Sequence, residues 1–247
     1  MKNNLYYPFV SLSDEDIFTE IKREREDIGY YSLPYADLSN MKSRLDNLDF
    51  KQKNIAIIGI GGSTLGTYAI YNFLKYNKQR NKTLKKELFF FESTDPINLN
   101  GTISQLNLED TLFIVISKSG TTIETISIFK YLSSLVKMNS QNLLVITEDD
   151  SKLNSFAAAN GISTFEIPKN VGGRFSVLSN VGLVPLYIAG FDIDELLKGA
   201  RKISTSFFEQ NELYNQLLKK ARTYYEYKDI YNINAIFSYS QLLEGFN

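Results

Sequence analysis

The densest chemistry in this sequence lies at Ser117-Lys118-Ser119-Gly120-Thr121-Thr122-Ile123-Glu124-Thr125, where hydroxyls, a lysine and a glycine crowd together. A phosphate monoester needs such a set: hydroxyls and amides for its oxygens, and a cation for its charge. A capping box, Thr121-x-x-Glu124, is the plainer alternative. It would occupy one hydroxyl and leave Ser117, Ser119 and Thr122 unexplained, so phosphate is the preferred reading. A second segment, Gly59-Ile60-Gly61-Gly62-Ser63-Thr64, could present backbone N–H groups and a helix N-terminus to an anion. Its alternative is a tight turn with Ser63 as a helix cap. It is not a dinucleotide fingerprint, because a third glycine would fall on Thr64. It is not a Walker loop, because no Gly-Lys-Ser/Thr closes it. The third segment, Val171-Gly172-Gly173-Arg174-Phe175-Ser176, pairs glycines that let a backbone approach a ligand with an arginine beside it.

The elements around these segments alternate. Ile55–Gly59 is a short apolar run ending in glycines, the pattern of a buried parallel strand. A helix is predicted at 63–75, then a strand at 88–91, a short helix at 96–106, a strand at 112–116 and a helix at 122–137. Next come a strand at 143–146, a helix at 151–159 and a weaker strand at 163–167. This spacing predicts right-handed βαβ units: an α/β fold with a doubly wound parallel sheet and helices on both faces. In such sheets ligands lie outside the carboxyl ends of the strands. The first two chemical segments stand at such ends, and the third follows the weak fifth strand. One small anionic metabolite, a sugar phosphate, is the ligand these positions predict.

Upstream, Ser13-Asp14-Glu15-Asp16 reads as a capped, acid-rich helix start, and 35–48 as a second amphipathic helix. Downstream, helices are predicted over 178–189, 193–207 and 210–227. Residues Ile233–Ser240 then read as a new strand with little after it. The predicted organisation is one domain over 1–230 with leading helices, and the opening of a second over 231–247.

Composition narrows the chemistry. The 247 residues include no cysteine, which excludes disulfides, thiolate metal sites and cysteine nucleophiles supplied by this chain. They include no histidine, which excludes a Ser-His-Asp triad and any imidazole acid or base. Lys+Arg is 27 against Asp+Glu 28, a net charge of −1, so no basic field is present to hold a nucleic acid. Residues 1–10 carry no apolar signal core, and no apolar run reaches the roughly 18 to 20 residues of a membrane span. A cytoplasmic protein with neither nucleic-acid nor membrane partner is expected.

At the three segments the sequence strongly resembles the phosphoglucose isomerase family in its bacterial form. The matching motifs are Gly59-Ile60-Gly61-Gly62-Ser63, Ser117 through Glu124, and Val171-Gly172-Gly173-Arg174-Phe175-Ser176-Val177-Leu178-Ser179. The likeness runs from about Ile55 to the last residue. It implies two sugar-isomerase (SIS) domains of flavodoxin-like form, the first ending near residue 230. By resemblance, Gly62, Ser63, Ser117, Lys118, Ser119, Thr121, Thr122 and Gly173 fall at substrate positions, mostly around the phosphate. Arg174 matches the arginine that stabilises an enediolate, and Glu124 matches a carboxylate near the family's catalytic histidine. The family's base glutamate and its histidine lie beyond Asn247. That histidine comes from the neighbouring subunit, so a homodimer is implied for the longer protein. No cofactor and no metal are expected. A stand-alone sugar-phosphate-binding SIS module with a regulatory role is the competing expectation; it would keep the phosphate segments without needing Arg174. A nucleotide-binding oxidoreductase is disfavoured by Thr64, and Glu92 lies too far past the glycines to hold a ribose.

Overall fold

The computed structural model describes residues 15–76 and 85–246. The cap read at Ser13 and the absent signal core at 1–10 lie outside the described residues. By packing, the chain divides into two compact units, one of Met1–Tyr35 with Asp194–Phe237 and one of Ala36–Ile193 with Ser238–Asn247.

The larger unit is built on five parallel strands. These are β1 (Asn54–Ile58), β2 (Glu87–Phe91), β3 (Thr111–Ile116), β4 (Leu143–Thr147) and β5 (Ser163–Glu166). Their order is β2-β1-β3-β4-β5, with Ile58 opposite Phe91 on one side and Val115 on the other. The apolar runs of β1, β3 and β4 are continuous rather than alternating because both faces are covered. Ala56, Ile58, Phe113, Val115, Leu143 and Val145 pack in one cluster with Leu99, Ile128, Leu132 and Leu153. Those last four belong to α4 (Pro96–Ile103), α5 (Ile123–Leu135) and α6 (Lys152–Ala159). The intervening strand residues, Ile55, Ile57, Ile114 and Ile146, are equally buried and point the other way. On that face α7 (Asn180–Ala189) meets β1, and α2 (Ser39–Leu48) and α3 (Leu65–Leu74) pack against α7. The predicted doubly wound α/β sheet with helices on both faces is the observed one.

The smaller unit gathers α1 (Glu15–Asp27), α8 (Ile193–Phe208) and α9 (Glu212–Tyr227). Its core is aromatic. Phe18 stands edge-on to Phe207 at 5.8 Å and to Tyr214 at 5.0 Å, with Leu218 beside them.

Two local readings change. The helix expected over 35–48 begins only at Ser39, after short 3-10 turns at Gly29–Tyr31 and Leu33–Tyr35. The strand expected at 233–240 is absent: these residues are irregular and exposed, with Ile233 at 86% and Tyr239 at 99%. Alternating apolar residues form a strand only against a neighbour, and this segment pairs with none of the described strands. Beyond it, the 3-10 turn Gln241–Phe246 packs on α3, where Phe246 meets Phe73 edge-on at 5.8 Å.

Candidate phosphate site

Strand order decides where the site lies. The chain steps from β1 outward to β2, then returns to place β3 on the other side of β1. The crevice of a doubly wound sheet opens at this reversal, at the carboxyl ends of β1 and β3. The Gly59–Thr64 segment leaves β1 there and the Ser117–Thr122 segment leaves β3. Adjacent strands put the two departures about 4.8 Å apart.

Helix capping separates this crevice from the rest of the sheet's rim. The helices that follow β2, β4 and β5 are closed by side chains: Asp95 accepts from Ile97 and Asn98 at the start of α4, Ser151 from Asn154 at α6, and Ser179 from Val181 at α7. The two helices that start in the crevice, α3 and α5, have no side-chain cap, although Thr64 and Thr122 occupy their cap positions. Their first-turn N–H groups and the positive ends of their dipoles stay available to an anion. Neither cap suggested by the sequence forms. Ser63 sits in a 3-10 turn one residue before the cap of α3, and α5 is entered from Thr122 rather than from a Thr121–Glu124 box.

The hydroxyls organise the loop itself. Buried Ser117 bonds Thr122, Oγ to Oγ1, at 3.0 Å. Ser119 Oγ accepts from the Thr121 amide at 3.3 Å and the Thr121 hydroxyl at 3.2 Å. Beneath them Thr147 donates to the Ser117 carbonyl at 2.7 Å and shares a 2.8 Å bond with Ser151. Gly120 turns the loop at φ +66°, pressed so close to Ser151 and Leu153 that a Cβ would sit 2.8 Å from the Ser151 Cβ. Thr147 and Ser151 carry no local motif that sets them apart in the sequence.

The third segment reaches the first. A Cβ on Gly62 would lie 2.2 Å from the Gly173 carbonyl oxygen, so only glycine permits this approach. Ser176 ties the junction, donating to the Gly173 carbonyl at 2.7 Å with the Gly62 carbonyl at 3.4 Å. Arg174 follows in the 3-10 turn Gly173–Phe175, exposed and with no ion pair among the described residues. Glu124 is also exposed, in the first turn of α5. Ser63 is half-buried beside Gly62.

Lys118 goes elsewhere. Its ammonium donates to the carbonyls of Lys169 and Val171, both at 2.9 Å, and lies 3.4 Å from Glu148. Lys169 in turn pairs with Asp150 at 2.7 Å. That hydrogen bond lowers the Asp150 carboxyl below its usual value and raises the Lys169 ammonium above its own. Both groups are exposed, so the pair adds little to stability.

A family model described as phosphoglucose isomerase matches residues 48–247. The chain belongs to that family. The glucose-6-phosphate isomerase of Campylobacter jejuni is 40% identical over 227 residues, covering 90% of this chain and 54% of that protein. The one from Methanocaldococcus jannaschii is 34% identical over 197 residues, covering 78% and 47%. The chain thus spans about half the length of the curated relatives it matches. Among solved structures, a Thermus thermophilus protein described as hypothetical aligns with TM-score 0.73 at 29% identity, over 87% of this chain and 53% of its own. A glucose-6-phosphate isomerase from Chlamydia trachomatis aligns with TM-score 0.67 at 23% identity, over 96% and 44%. The tagatose-6-phosphate ketose/aldose isomerase of Escherichia coli aligns with TM-score 0.52 at 16% identity, over 83% and 56%. The last two likenesses concern the fold, which is that of the SIS sugar isomerases. Among the described residues no helix is long and apolar enough to cross a membrane.

Proposed function

We propose that this chain is the phosphate-binding portion of an aldose–ketose isomerase that interconverts glucose 6-phosphate and fructose 6-phosphate. The observation that carries the reading is the pair of uncapped helix N-termini at the switch point, ringed by Ser63, Ser117, Ser119, Thr121 and Thr122. Hydroxyls and N–H groups there meet the phosphate oxygens, and the two helix dipoles offset its charge. The exposed Arg174 is held beside Gly62 by the Gly62–Gly173 contact, at the edge of the same cradle.

The reaction moves a carbon-bound proton from C2 to C1 and a hydroxyl proton from O2 to O1. A base takes the first from C2 of the open-chain aldose, the electron pair flows to the carbonyl oxygen, and an enediolate forms. Return of the proton to C1, with the O2 hydroxyl proton passing to O1 as the C2 carbonyl forms, gives the ketose. A fixed cation stabilises the enediolate oxygen as charge develops there, the part assigned to Arg174. The base and the ring-opening acid are assigned to residues outside these 247, and Glu124 to a place beside that acid. The domain boundary near residue 230, a homodimeric assembly of the longer protein and a cytoplasmic location belong to the same proposal.

The cradle is tested with Ser119→Ala/Thr122→Ala. Each lost bond to a charged phosphate costs about 1.5–3 kcal/mol, so glucose 6-phosphate affinity should fall on the order of a hundredfold or more. Unchanged affinity by calorimetry would sink the cradle reading. A second measurement separates binding from turnover. The 247-residue chain contains no histidine, so it should bind sugar phosphate yet convert none of it in a coupled assay. Conversion at ordinary enzymatic rates would show that these residues already hold the proton-transfer groups.

A further inference from the structure

We infer that Lys118 is a positioning residue: its ammonium clamps the strap 169–171 and so sets the place of Arg174, while the phosphate cradle draws no charge from it. The inference rests on the proposed function for its ligand and on geometry for its mechanism.

A lysine ammonium has three donors and no acceptor. Here two of them reach the Lys169 and Val171 carbonyls, and the charge is paired with the Glu148 carboxylate 3.4 Å away. The strap accepts these two. Val171 N–H bonds back to the Pro168 carbonyl at 3.1 Å, making a tight turn, and the Lys118 ammonium meets the Lys169 and Val171 carbonyls. Glu148 is fixed in turn, since its N–H donates to the Lys118 carbonyl at 3.3 Å. Lys118 and Glu148 therefore hold each other by backbone and side chain at the ends of β3 and β4.

The far end of the strap is where this matters. Val171 is fully buried, and Gly172 and Gly173 follow it directly. Glycines bring no side chain to anchor a loop, so the path into Arg174 is set by Val171 on one side and Ser176 on the other. Lys118 grips the Val171 side at its carbonyl. The residue thus joins the loop that receives phosphate to the loop that carries the guanidinium. It fixes the spacing between the two ends of a ligand that must touch both.

Two variants and two probes test this. The probes are inorganic phosphate, which needs the cradle only, and arabinonate 5-phosphate, whose carboxylate stands where an enediolate would carry its charge. Lys118→Met keeps the aliphatic stem and removes the donors. Its phosphate Kd should stay within about twofold of the parent chain. Its arabinonate 5-phosphate Kd should rise about tenfold or more, because the guanidinium is no longer held in place. Lys118→Arg, which can still donate to both carbonyls, should recover much of the loss. Amide exchange at Arg174 and Phe175 should quicken in Lys118→Met without any ligand.

If Lys118→Met loses phosphate as severely as Ser119→Ala/Thr122→Ala does, the ammonium serves the cradle and the inference is overturned. Unchanged affinity for both probes overturns it too. If the parent chain binds neither probe, the proposed function fails instead. Exchange at Arg174 and Phe175 then still decides whether the clamp exists.

Discussion

Gly62→Ala should remove sugar-phosphate binding while leaving the sheet folded. The added methyl would meet backbone, not a movable side chain: 2.2 Å to the Gly173 oxygen, 2.5 Å to its carbonyl carbon and 3.0 Å to the Arg174 nitrogen. The two loops would have to part by about 1 Å, a misplacement that costs on the order of a hundredfold where binding geometry must be exact in both partners. Overpacking of this kind destabilises by about 1–3 kcal/mol, so the variant should still fold. Gly101→Ala is the control. That glycine lies inside α4 with nothing within 4 Å of a Cβ, so alanine should stabilise by up to about 1 kcal/mol through its helix preference. Urea melts and calorimetric titration of both variants check the pair. Gly62→Ala binding like the parent chain would mean the Gly62–Gly173 contact does not shape the site.

Phe113→Ala should give the largest loss of stability. Phe113 is fully buried in β3, the middle strand of the five, among the side chains that α4, α5 and α6 bring to that face. Truncating a buried phenylalanine costs about 3–5 kcal/mol, part from lost burial and part from the cavity left behind. At about 2–4 °C per kcal/mol for a chain of this size, the melting temperature should fall by roughly 6–20 °C. A loss below about 1 kcal/mol would mean the site collapses around the smaller side chain, and that the two layers pack more loosely than the burial shows.

The sheet and the place of the candidate site were legible in sequence for one physical reason: their signals are local. A strand covered on both faces is written as an unbroken apolar run, so β1, β3 and β4 stand out at Ile55–Ile58, Leu112–Ile116 and Leu143–Ile146. Parallel strands need crossover helices, so the alternation prescribes the architecture. Hydroxyls and glycines placed just after those runs fall at the carboxyl ends of strands, where ligands of such sheets lie. These inferences use only neighbours along the chain.

Tertiary structure decided what depends on residues far apart in sequence. Lys118 looks like a phosphate ligand among its neighbours, but its donors are taken by carbonyls some fifty positions on, at Lys169 and Val171. Gly62 and Gly173 mark flexible turns by themselves, and only the folded chain shows that Gly62 must be small to admit the Gly173 backbone. The missing caps of α3 and α5 follow the same logic. Thr64 and Thr122 are able to cap, but the Thr122 hydroxyl bonds Ser117 and that of Thr64 lies 3.3 Å from the Gly61 carbonyl. The alternating residues at 233–240 misled for the converse reason. A strand is completed by hydrogen bonds to a partner, and pattern alone does not supply one.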